Sequence, residues 1–152
     1  MNLLRNKYNI INEKSSYFFL FSLVHNEIVD GIQAYGAERM QRLTEKDVYL
    51  LTVKKGEEFY IRFYGNPRAF YYWRIENYEK IPHDALDDFD KKGQFFKYVP
   101  ISHGGYPVAG AGGTLFFKFK ALRESKNEIS LKFVSTLQNT QVPYTIIKIN
   151  IE

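Results

Sequence analysis

The chain has 152 residues, among them 13 Phe and 12 Tyr, a formal charge of +4 and no cysteine. That length can bury a core without staples, and the missing thiols exclude a cysteine nucleophile, a disulfide framework and any cysteine-ligated zinc or iron–sulfur site. With 21 basic against 17 acidic residues the charge suits an acidic partner surface without forming a nucleic-acid stripe, and no apolar run approaches the roughly 18 residues needed to span a bilayer.

Residues 1–16 are polar and rich in Asn and Lys, which predicts a segment wrapped on the surface or poorly ordered. Arg5, Lys7 and Lys14 precede the apolar Tyr17–Val24, an order similar to the charged and apolar regions of a signal peptide. No A-x-A-like site follows, so 17–24 is read as a strand buried on both faces. Glu27–Gly36, with Gly31 and Gly36, is expected to be loop. Ala37–Lys46 has good helix formers but only Met40 and Leu43 as a buried stripe, which predicts a short surface helix.

From Asp47 onward the pattern is β. Val48–Val53 is a strand, Lys54-Lys55-Gly56 a turn, and Glu57–Tyr64 a strand that alternates Phe59, Ile61 and Phe63 with Tyr60, Arg62 and Tyr64. Gly65-Asn66-Pro67 cannot continue a ladder, because Gly and Asn accept positive φ and Pro has no amide donor. The chain turns there and presents Arg68, Ala69 and Phe70 at a tip before the strand Tyr71–Glu76. Asn77–Asp90, with Pro82 and the acids Asp84, Asp87, Asp88 and Asp90, reads as loop with at most a short helical turn. Gln94–Val99 reads as a strand stopped by Pro100. His103–Gly113 is too rich in glycine for regular structure. Thr114–Ala121 turns Leu115, Phe117, Phe119 and Ala121 inward and Phe116, Lys118 and Lys120 outward. Glu128–Val134 repeats the pattern with Ile129, Leu131 and Phe133. Ser135–Val142 is a polar loop, and Pro143–Ile151 closes the chain with Thr145, Ile147, Ile149 and Ile151 on one face. Many short strands with scarcely any helix predict an all-β protein, a β-sandwich. Residues 1–46 form an extension packed on the same domain as 47–152.

The constellations that carry chemistry are weak. His25, His83 and His103 fall in irregular stretches without metal-ligand spacing, and Ser102-His103 are neighbours in sequence only. The acids from Asp84 to Asp90 do not follow calcium-loop order. Gly110–Gly113 feeds a strand rather than a helix and lacks the Lys-Ser/Thr of a phosphate loop. No metal or cofactor is expected, and an enzyme is the least supported class. The interleaved Tyr60, Arg62, Tyr64, Tyr72, Arg74, Phe116, Lys118 and Lys120 would suit stacking on single-stranded nucleic acid; the alternative is the outward face of paired strands.

Two segments together resemble the chagasin-type inhibitors of papain-like cysteine proteases. Leu51–Trp73 is similar to that family's strand, glycine turn, strand, Asn-Pro-Thr-Thr-Gly loop and aromatic-x-Trp. Gly110–Ala121 is similar to its Gly-x-Gly-Gly loop and following strand. The likeness runs from about Asp47 to the C-terminus. Arg68-Ala69-Phe70 replaces the Thr-Thr-Gly, and Ser135–Val142 lacks the family's Arg-Pro-Trp. The resemblance implies an immunoglobulin-like β-sandwich with binding loops at one end, acting as a monomer in a 1:1 complex with a cathepsin-L-like protease. It assigns the central loop to Asn66, Pro67, Arg68, Ala69, Phe70 and Tyr71, supported by Trp73. The glycine loop is Val108, Ala109, Gly110, Ala111, Gly112 and Gly113, with Gly112 and Gly113 expected to let backbone approach the enzyme. The third loop is Thr136, Leu137, Gln138 and Asn139. A secreted or vesicular location fits the resemblance, and a cytoplasmic one stays open. The residues alone leave a second class standing, a β-sandwich recognition module for protein or carbohydrate.

Overall fold

A computed structural model describes residues 9–13, 16–22, 24–36, 47–89, 92–136 and 144–152. The predicted helix 37–46 lies outside them, as do Leu137, Gln138 and Asn139. Sheet A has the order β1 (Asn9–Glu13), β2 (Ser16–Ser22), β5 (Asp47–Val53), β14 (Tyr144–Ile151), β13 (Ile129–Ser135), β7 (Trp73–Ile75). Sheet B has the order β3 (Val24–Val29), β4 (Ile32–Gly36), β6 (Glu58–Gly65), β12 (Gly113–Ala121), β8 (Leu86–Asp88), with β9 (Lys97–Pro100) also paired to β12. A small hairpin joins β10 (Ser102–His103) to β11 (Tyr106–Pro107).

The alternation read from the sequence places the core between the two sheets. Phe59, Ile61 and Phe63 of β6 and Leu115, Phe117 and Phe119 of β12 face Ile129, Leu131 and Phe133 of β13 and Ile147, Ile149 and Ile151 of β14. Three aromatic contacts cross the interface: Phe63 lies 4.7 Å from Phe133 and 4.9 Å from Trp73, and Phe117 meets Phe133 edge-on at 4.9 Å. Each adds about 0.5–1.5 kcal/mol to what area burial supplies. The expected β-sandwich is therefore the fold.

Several local expectations change. Glu27–Gly36 is not loop: Val24–Val29 and Ile32–Gly36 form a hairpin about Asp30 (φ 53) and Gly31 (φ 76). An Asp-Gly pair between strand-forming residues is the usual two-residue hairpin turn. The strand expected over 17–24 is two strands, Ser16–Ser22 and Val24–Val29. The strand Tyr71–Glu76 shrinks to Trp73–Ile75, and Gln94–Val99 becomes Lys97–Pro100. Asn77–Asp90 holds the expected helical turn, a 3₁₀ stretch at Tyr78–Lys80, and also the strand β8 against β12. The glycine-rich stretch contains the β10–β11 hairpin, turned by Gly104 (φ 58) and Gly105 (φ 84).

The outer face of sheet B departs from simple alternation. Tyr60 and Phe116, expected to point outward, are buried with Ala34, and Val29 and Ile32 pack on them. Pairing of β4 with β6 supplies this cover. Lys97 stands 5.1 Å from both the Tyr60 and Phe116 rings and forms an ion pair with Asp30. The hydrogen bond to Asp30 raises the Lys97 pKa. Lys118 lies over Phe89 at 4.5 Å and Phe96 at 5.3 Å. Of the residues that suggest a stacking platform, Tyr60 and Phe116 are thus buried against each other, Lys118 is held over two other rings, and Arg62 forms an ion pair with Glu27.

Tyr35 of β4 donates to Glu57 Oε1 at 3.1 Å. Burial, then the neighbouring Glu57 carboxylate, pushes the phenol up to about 12. A phenol whose folded pKa exceeds its unfolded value, about 10, stabilises the fold fully below pH 10. That contribution fades as pH rises through 12, because the unfolded chain releases the proton first. Urea melts at pH 8 and pH 11 should therefore show a smaller alkaline loss of stability in Tyr35→Phe than in the parent; equal losses would refute the linkage. A second prediction concerns Gly113, where a Cβ would sit 2.6 Å from Pro100 Cα and closer still to Val99 O. Gly113→Ala should lower unfolding stability by about 1–3 kcal/mol, measured by denaturant titration.

Candidate functional site

Strand direction brings three connections to one end of the sandwich. Gly65, the last residue of β6, pairs with Gly113, the first of β12, so the central and glycine loops leave side by side. Ser135, the last residue of β13, pairs with Trp73, the first of β7, which sets the start of the third loop beside the far stem of the central one.

The central loop is closed tightly at its base. Asn66 and Tyr71 exchange backbone hydrogen bonds, Asn66 N–H to Tyr71 O at 2.6 Å and Tyr71 N–H to Asn66 O at 3.0 Å. Between them Pro67–Ala69 forms one 3₁₀ turn, for which proline's fixed φ is suited. Ala69 N–H donates to Asn66 O at 2.9 Å and Phe70 N–H to Pro67 O at 3.1 Å. Phe70 ends the turn in the left-handed region, φ 59 and ψ 23. Arg68, Ala69 and Phe70 are exposed, with Phe70 at 81%, while Asn66, Pro67 and Tyr71 are half-buried. Burial raises the Tyr71 pKa, keeping that phenol neutral.

Trp73 supports the loop from below. It is buried, stacks on Phe63, and donates from Nε1 to Tyr64 O at 3.2 Å, joining the two loop stems.

Thr136 acts as a clamp between the third loop and the central one. Its hydroxyl donates to Phe70 O at 2.7 Å and accepts from Tyr72 N–H at 3.0 Å, while its own N–H donates to Tyr72 O at 2.9 Å. Sequence reading placed Thr136 among contact residues. Its position shows a supporting role that only the fold reveals, because the partners are more than sixty positions away.

The glycine loop is bound to the same frame. Tyr64 Oη donates to Ala111 O at 2.6 Å, and Ile101 N–H to Gly112 O at 2.9 Å. Val108, Ala109 and Gly110 are exposed, Ala111 is half-buried, and Gly112 and Gly113 are buried. This corrects the expectation for the last two. A Cβ at Gly112, which has φ 71, would lie 2.7 Å from Gly65 O and from Tyr64 Oη. The close approach that these glycines permit is to the domain's own backbone, and the exposed part of the loop is Val108–Gly110. Tyr106, which the sequence reading did not single out, is 79% exposed on the adjoining hairpin, near Ile101 and Val108. Its signal was an aromatic between Gly105 and Pro107, positions that rarely lie in a core.

No group of His, Asp and Glu among the described residues has metal-binding geometry. The loop end presents exposed backbone, two exposed aromatics, Phe70 and Tyr106, and the exposed Arg68, Ala69, Val108, Ala109 and Gly110.

The family model of the chagasin family peptidase inhibitors, I42, matches residues 52–151. No curated protein matches the chain in sequence. Solved structures similar to it include a cysteine protease inhibitor, EhICP2, from Entamoeba histolytica, with 14% identity, 70% of this chain and 88% of that chain covered, and a TM-score of 0.46. The inhibitor ICP of Leishmania mexicana gives 17%, 76%, 100% and 0.46. PbICP-C, solved in complex with falcipain-2, gives 13%, 78%, 98% and 0.47. With the family model spanning most of the β-sandwich and both loop stems, the chain belongs to the chagasin family of peptidase inhibitors, proteins that block proteases and are not enzymes.

Proposed function

We propose that this inhibitor of papain-like cysteine proteases works reversibly and without covalent chemistry, by seating the loop end of the sandwich in the active-site cleft. The observation that carries this reading is the hydrogen-bonded closure of the central loop by Asn66, Tyr71 and Thr136, with Phe70 held at the tip. A loop so constrained loses little entropy on docking. Cleavage needs a scissile carbonyl aligned with the nucleophile and the oxyanion donors. A 3₁₀ turn followed by a left-handed residue does not offer an extended strand for that alignment, so the loop fills the site and survives. Arg68, Ala69 and Phe70 would lie over the catalytic residues. Val108, Ala109 and Gly110 would meet one cleft wall, and Leu137, Gln138 and Asn139 the other. About 800 Å² buried on each partner, the usual size for inhibitor complexes, would give a 1:1 complex of a monomer. Within the family, the segment before residue 47 and the composition rich in Asn, Lys, Ile and Tyr suit a kinship with the malaria-parasite inhibitor falstatin.

Titration of papain or a cathepsin-L-like enzyme should give reversible inhibition that excess substrate relieves. No inhibition at micromolar protein would reject the reading, and binding of another protein or a carbohydrate without effect on proteolysis would favour the recognition-module alternative. Thr136→Val keeps the shape and removes the hydroxyl bonds to Phe70 and Tyr72. It should lower stability by about 1–3 kcal/mol and weaken inhibition several-fold; an unchanged inhibition constant would show that the clamp does not position the loop.

A further inference from the structure

Phe70 joins three properties that folding alone does not explain. The residue is 81% exposed, so it adds almost nothing to the core. Its φ of 59 lies where L-residues crowd their own backbone, a genuine outlier for a bulky side chain and one that glycine would occupy freely. Both of its peptide groups are nevertheless fixed, the N–H by Pro67 O and the carbonyl by Thr136 Oγ1. Among the described residues the other non-glycine at positive φ is Asp30, a residue type common in hairpin turns. A strained backbone held rigid beneath an exposed aromatic ring is retained by something outside the domain.

We infer that Phe70 is the specificity-determining anchor of this inhibitor, entering an apolar pocket beside the protease's catalytic cysteine. The inference rests on the inhibitory reading and deepens it by stating the partner's chemistry. The targets are papain-like proteases whose pocket admits a phenyl ring and has no charged group at its floor. An aromatic ring is the largest apolar load that a single tip residue can carry, and anchors of this kind dominate interface energetics. The fixed backbone leaves only the two side-chain torsions to be frozen on docking, so little of the ring's gain is lost to ordering. Arg68 and Ala69, exposed on the same turn, carry no comparable apolar surface.

Phe70→Gly and Phe70→Leu separate a binding role from a structural one. Against a protease with an open apolar pocket, Phe70→Gly should weaken inhibition at least tenfold while raising the melting temperature by about 2–4 °C, as strain is released. Phe70→Leu should lose less inhibition than Phe70→Gly, since a shorter apolar side chain still occupies part of the pocket. Against a protease with a carboxylate at the pocket floor, the parent should bind at least tenfold more weakly than to the apolar one. Parent-level inhibition by Phe70→Gly would overturn the inference and leave the inhibitory reading intact. So would a loss of inhibition accompanied by a falling melting temperature, which would assign Phe70 to the fold. Absence of inhibition by the parent against every enzyme would instead bring down the inhibitory reading itself.

Discussion

The pairing of β6 with β12 ends on two glycines facing each other, Gly65 and Gly113, and much of the molecule depends on that junction. Neither position has room for a side chain. A Cβ at Gly65 would meet Leu115 Cδ1 at 2.7 Å and Tyr71 O at 3.0 Å, while one at Gly113 would strike β9. Three backbone segments and the base of the central loop are thereby brought closer than side chains would permit. From this point the central loop leaves and the glycine loop arrives, side by side at one end of the sandwich. Tyr64, the residue before Gly65, bonds to Ala111. Trp73, returning from the loop, bonds to Tyr64.

The core beneath supplies rigidity. Phe63, Phe117, Phe133 and Trp73 interlock between the sheets, so the loop stems rise from packed aromatics. Rigidity at the stem is what lets a short loop hold Phe70 in an unfavourable backbone state. The proposed binding surface thus draws on stability generated elsewhere, a common arrangement at functional sites. On the far face of sheet B, β4 and the Asp30–Lys97 pair cover Tyr60 and Phe116. Among the described residues upstream of the family match, β4 thus pairs into sheet B.

Period-two alternation makes the long strands legible, because β14 alternates throughout and β5, β6, β12 and β13 depart from alternation mainly at Val48, Tyr60, Phe116 and Val134, which are buried on the outward face. Loop stems were legible for a different reason: Gly-Asn-Pro and Gly-Ala-Gly-Gly cannot remain in a ladder. The short strands escaped notice. β8 has three residues and β11 two, too few for periodicity to register, and their pairing is decided by distant partners. The β3–β4 hairpin is announced by Asp30-Gly31, but Gly31 and Gly36 within ten residues also suit a loop, and pairing with β6 decides for the strand. Burial of Phe116 is hidden in the alternation itself, since side chains from neighbouring strands of the same sheet, Tyr60, Ala34 and Lys97 among them, close over the face that alternation assigns to solvent. Within the site, the residue types of the tip were readable, but the left-handed φ of Phe70, the clamp by Thr136 and the inward role of Gly112 and Gly113 arise only from contacts across the fold.

The central claim is that the loop end covers a protease's catalytic cysteine without becoming a substrate. Alkylation of that cysteine by iodoacetamide, followed in papain with and without a saturating amount of this protein, tests the claim directly when the intact mass of the inhibitor is recorded in parallel. The account predicts strongly slowed alkylation, recovery of the thiol on dissociation, and an uncut inhibitor. Alkylation at the free-enzyme rate, or cleavage between Asn66 and Tyr72, would contradict it.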